Sequence, residues 1–133
     1  MTTINIILVV FGILLVAGAG IFEAVMDKLQ FHYGKSIFKL YRKQQYWNPK
    51  LSWANKYKQD LKTPKFICST TCLVFLTDAW HFFKFLRTLV MFVGLIIIGF
   101  NSTSVWFVIL FTIIARILFG LAFQLFFEKV FEL

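Results

Sequence analysis

The sequence predicts an all-α polytopic membrane protein with three transmembrane helices, four being the alternative count, plus a basic amphipathic helix at the interface. Three observations carry that expectation. Residues 4–26 hold no charge before Glu23 and residues 104–127 hold only Arg116; each stretch reaches the roughly 20 residues that a bilayer crossing needs. The chain is 59% hydrophobic and only 15% charged, so a water-soluble fold of its 133 residues would expose too much apolar surface to stay dispersed. The net charge of +8 is gathered rather than spread, because ten of the fourteen basic residues lie between Lys28 and Lys65.

That asymmetry sets the expected orientation. The connection at Asn101-Ser102-Thr103-Ser104 carries no charge, and basic connections stay on the cytoplasmic side. The N-terminus is therefore expected outside, with the basic loop and the C-terminus in the cytoplasm. The whole chain reads as one membrane domain.

Residues 4–26 form the first predicted span. A basic leader is lacking and the apolar core is long, so the segment reads as a retained helix rather than a cleaved signal. Gly20, Glu23, Ala24 and Asp27 fall on one face at spacings of three and four. The Gly20/Ala24 pair is the small-residue spacing that lets a second helix come close.

Residues 28–46 change to an amphipathic pattern. Leu29, Tyr33, Ile37, Leu40 and Tyr41 make an apolar stripe, with His32, Lys35, Lys39, Arg42 and Lys43 opposite. This predicts a helix lying in the inner interface. Asn48-Pro49 ends it, and residues 47–64 read as a basic cytoplasmic loop. Anionic lipid is the expected partner, contacted by Lys35, Lys39, Arg42, Lys43, Trp47 and Trp53. Nucleic acid is the less expected partner, since no known binding motif accompanies the charge.

Residues 65–100 contain no Gly before Gly94 and no Pro, and predict one long helix containing the second span. At about 1.5 Å per residue it is too long for one upright crossing. Its first half is expected to project inward or lie along the surface; a break near Lys84 gives the four-span alternative. Residues 104–127 are the last span, with Arg116 as an intramembrane charge in need of a partner. Glu23 is the nearest carboxylate in expected depth.

Chemistry, if present, is expected where the first span leaves the membrane and the second enters. Glu23, Asp27, His32, Asp78 and His81 fall at that level, and both histidines of the chain are among them. Asp78 and His81 have the i, i+3 spacing that aims two ligands to one side of a helix. Mixed oxygen and imidazole donors suit a divalent Zn, Mn or Fe ion. Asp78, His81 and Glu23 are equally the candidates for metal-free acid–base work. The leading expected function is a subunit of a membrane assembly or a homo-oligomer. The alternatives are a metal-dependent or acid–base enzyme acting on lipid head groups, a pore-forming or holin-like protein, and a proton or ion path. Cys68 and Cys72 lie four apart, which is no zinc or thioredoxin spacing, and are expected to be reduced.

Overall fold

The computed structural model describes residues 2–133. They are helical throughout apart from turns and two isolated β-bridges. Three helices are long and apolar enough to cross a bilayer. Helix α1 (Thr3–Phe31) starts at Thr2, whose hydroxyl accepts the Asn5 N–H at 3.3 Å, and it is the element the others lean on. Helices α4 (Ala79–Asn101) and α5 (Val105–Leu125) both pack along it and touch each other little.

Glycine makes these approaches possible. A Cβ on Gly12 would stand 2.8 Å from the Gly94 carbonyl oxygen, and one on Gly94 would stand 2.7 Å from that of Gly12. Gly20 does the same for α5, since a side chain there would run into the Phe119 carbonyl. Backbones this close gain dispersion contacts along the whole seam. The face carrying Gly20 and Ala24, which the sequence offers to an external helix, is thus used inside the chain. Val16, Ile98 and Ala115 close the contact among all three helices.

A second cluster sits at the basic end. Val25, Leu29, Phe38 and Ala79 are buried there, with Trp47, Phe83 and Phe131 packed against them. Phe38 stacks on Trp47 with ring centroids 5.2 Å apart. Trp47, expected to contact lipid head groups, is therefore engaged in this aromatic core.

Two expected elements differ. The amphipathic helix over residues 28–46 does not form: α1 runs on to Phe31, 3-10 turns follow at Tyr33–Lys35 and Ile37–Leu40, and one helical turn, α2, spans Gln44–Trp47. The reason is long-range pairing with the C-terminal tail. Ile37 donates its N–H to Phe131 O at 3.2 Å and Leu133 donates to Lys35 O at 2.9 Å, which takes groups a continuous helix would have used internally. Lys28, the first residue of that expected helix, is only 1% exposed and pairs with Glu132 of that tail.

The long helix over residues 65–100 is also shorter than expected, because α4 begins only at Ala79. Residues 66–77 are turns apart from one 3-10 turn at Val74–Leu76. Cys68 adopts a left-handed φ of 58°, which a helix cannot contain, and the Ser69 hydroxyl donates to Lys56 O at 2.7 Å, tying the segment back to the loop. The overlength that suggested a fourth span disappears with this start. In between, α3 (Pro49–Ser52) has Pro in its first turn and Asn48 accepting from Lys50 N at 3.0 Å. A tight turn then closes on Asp60, which accepts from Lys62 N and Thr63 N at 3.0 Å each.

Candidate functional site

The polar residues foreseen as one cluster resolve into separate places. The first is the start of α4. Asp78 is its N-cap, with Oδ1 accepting the His81 N–H at 2.9 Å. Oδ2 meets His81 Nδ1 at 2.7 Å and accepts the Thr77 hydroxyl at 3.0 Å. Burial pushes the Asp78 carboxyl up, but the His81 ring, the His81 backbone N–H and the Thr77 hydroxyl outweigh it, leaving it below the ordinary carboxylate range. An ionised Asp78 only accepts, so the shared proton belongs to His81 Nδ1.

This pair lines a cavity of about 250 Å³ whose other walls include Gln30, Pro49, Ser52, Trp53 and Trp80. Three segments distant in sequence build it: the end of α1, helix α3 with the residue after it, and the start of α4. Asn55, three residues past α3, ties that segment to the start of α4 by donating to Thr77 O at 2.9 Å, and to α2 by donating to Gln45 O at 2.7 Å. A carboxylate-oriented imidazole in a largely apolar pocket can take a proton from a bound hydroxyl or water, or accept a hydrogen bond from a ligand.

The second place is between α1 and α4, where Arg87 Nη1 donates to Glu23 Oε2 at 2.5 Å. Glu23, foreseen as a metal ligand and as the partner of Arg116, is thus taken by Arg87. Asp27 is half-buried one turn further along α1. His32 is exposed and meets the Phe127 ring edge-on, with centroids 5.4 Å apart. Among the described residues, no three His, Cys, Asp or Glu side chains gather closely enough to hold a metal ion. Of the five candidates, only Asp78 and His81 are joined by a direct hydrogen bond.

Arg116 is the third place. It is exposed on α5, with Cζ 4.8 Å from the centroid of the Phe119 ring, and it belongs to none of the ion pairs among the described residues. Lys35, Lys39, Arg42 and Lys43 are exposed, as is Trp53.

Sequence reasoning missed the cap role of Asp78. An Asp just before a helical run is an N-terminus signal, but it was masked by the apolar residues ahead of it. Gln30, Ser52 and Asn55 carried no signal as site residues. Compared with known protein families, curated proteins and solved structures, the chain matches none.

Proposed function

We propose that this is an integral membrane protein that works as a subunit of a membrane assembly. The observation that carries the reading is the outer surface of α5, where only Ala115 is buried. The rest of that helix offers apolar side chains outward, and in their midst a charge that the chain leaves unpaired. Such a surface suits a bilayer populated by a partner better than lipid alone. The exposed Lys35, Lys39, Arg42 and Lys43 would lie against anionic lipid, putting the basic end and the C-terminus in the cytoplasm and the N-terminus outside. Extraction into native lipid particles without detergent tests this. A protein mass per particle above that of one 15.6 kDa chain is expected; single-chain particles across the preparation would reject the subunit reading.

A second reading has its own observation, the Asp78–His81 pair on the cavity wall. It favours acid–base chemistry on a lipid head group, with His81 Nε2 as the base and Asp78 holding the ring. Asp78 already accepts three hydrogen bonds, so the metal-free version of the enzyme reading has the better support. In vesicles of mixed phospholipids, head-group turnover that disappears in His81→Gln is expected on this reading. Identical lipid profiles for the two proteins would remove it.

A further inference from the structure

Arg116 lies eleven residues into α5 and nine before its end at Leu125. At 1.5 Å per residue its Cα is roughly 13 Å from that end. An extended arginine side chain covers only about half of this, so snorkelling leaves the charge inside the apolar span. The guanidinium lies over Gly120, where a Cβ would come within 3.7 Å of Nη1. Thr112, Arg116, Gly120, Gln124 and Glu128 recur at every fourth residue. Gln124 and Glu128 are exposed and joined at 3.3 Å. The line is polar or small amid Ile113, Ile117 and Leu121, all of them exposed.

Among the described residues, no free carboxylate lies at this level. Val16 packs with Ala115, and Gly20 sits against Phe119, which fixes α1 and α5 side by side. Glu23 is then about 10 Å nearer the basic end than Arg116, and Arg87 holds it. Asp27, Asp78, Glu128 and Glu132 lie further on, and Asp60 is in the loop. A second copy brings the same acids at the same depths, and a two-fold pair across this face would set Arg116 against Arg116.

We propose that the Thr112–Arg116–Gly120–Gln124 face receives a transmembrane helix of a different protein, one that carries an Asp or Glu at mid-membrane. This rests on the membrane-subunit reading and names its partner by chemistry. Gly120 lets the incoming helix approach, and the planar guanidinium takes its carboxylate through two parallel N–H···O bonds. Removing two opposite charges from hydrocarbon together is what drives the pairing, since each alone costs at least a few kcal/mol there.

The test uses the full chain, labelled at Cys68 and Cys72, in phosphatidylcholine vesicles. The probes are acceptor-labelled Leu/Ala transmembrane peptides with Glu, Gln or Leu at the centre. Energy transfer to the Glu peptide is expected to reach half-saturation at a peptide-to-lipid ratio roughly tenfold lower than for the Leu peptide, in line with 1–2 kcal/mol for a polar contact between helices. Arg116→Leu should erase that difference, and Arg116→Glu should transfer it to a peptide with a central Lys. Equal transfer to the Glu and Leu peptides overturns the proposal. Arg116-dependent transfer between copies of the protein itself also overturns it, by making a second copy the occupant. The subunit reading stands or falls separately, on the mass of the native particle.

Discussion

The chain places two arginines on helices long and apolar enough to cross a bilayer, and it treats them differently. Arg87 lies in the α1–α4 seam, half-buried, with Glu23 at 2.5 Å. Arg116 lies on the outer side of α5 with an aromatic ring for company. The surroundings follow the same division. Around Arg87 the two helices close to glycine-on-glycine contact further along the seam, whereas α5 buries one residue and turns most of its length outward. The α1–α4 seam is a finished interface, with its charge neutralised and its backbones in contact. The outer face of α5 keeps an arginine that joins none of the ion pairs among the described residues.

Disrupting a glycine contact of α1 should have the largest effect, and the tightest one is made with the inner side of α5. Gly20→Leu forces a side chain into the Phe119 carbonyl and should cost about 3 kcal/mol or more, the upper range for overpacking. Gly18 and Gly99 have nothing within 4 Å, so Gly18→Ala and Gly99→Ala should be neutral or stabilise by up to about 1 kcal/mol. Unfolding by graded SDS in mixed micelles measures all three; equal midpoints for Gly20→Leu and Gly18→Ala would show that this packing is absent in solution.

Next comes the contrast between the arginines. Glu23→Gln strands the Arg87 guanidinium, whose Nε already lacks a partner, and should destabilise by about 1–3 kcal/mol, between the ranges for exposed and buried pairs. Arg116→Leu should leave the isolated chain unchanged or slightly more stable. The same SDS titration reads both, and a larger loss for Arg116→Leu would reverse the assignment of which charge is satisfied.

Three apolar helices were legible because length and hydropathy alone define a span. The start of α4 was not. Phe66–Leu76 has the composition of a helix, and only the tertiary tie of Ser69 to Lys56 and the left-handed Cys68 turn it away. The fate of residues 32–47 was hidden for a similar reason: its pairing partner is the tail around Phe131 to Leu133, about a hundred residues distant. In the candidate site, the i, i+3 spacing put Asp78 and His81 on one side of the helix start, where a hydrogen bond joins them. Shared depth failed to bring Glu23 and Asp78 into contact, because depth says nothing about which side of a helix faces which neighbour.

At the basic end the effects become smaller and pH-dependent. Asp78→Ala removes the cap of α4 and should cost about 1–2 kcal/mol, with Asp78→Asn costing less because the amide oxygen still caps. The folded Asp78 pKa lies below the ordinary value, so its contribution is present above the unfolded carboxylate pKa and is lost as pH falls through the folded one. Thermal melts in detergent should therefore converge for wild type and Asp78→Asn under acid conditions. A gap that persists at low pH would assign the loss to shape rather than charge.

Asp60 offers the mildest test, on the loop far from both arginines. The Thr63 hydroxyl and the backbone N–H groups of Lys62 and Thr63 hold its carboxyl down at about 2, and the neighbouring Leu61 takes a left-handed φ of 55° to allow the turn. Stabilisation from this turn is present above the unfolded carboxylate value near 4 and disappears as pH falls through about 2. The carboxyl carbon shift of Asp60, followed by NMR, should titrate with a midpoint near the lower value. A midpoint near 4 would mean that the turn is open in solution, and that the loop is held by the Tyr57–Pro64 bridge instead. Asp60→Asn should leave the α1–α4 seam and the α5 face untouched, because the groups Asp60 holds, those of Lys62 and Thr63, belong to the loop itself.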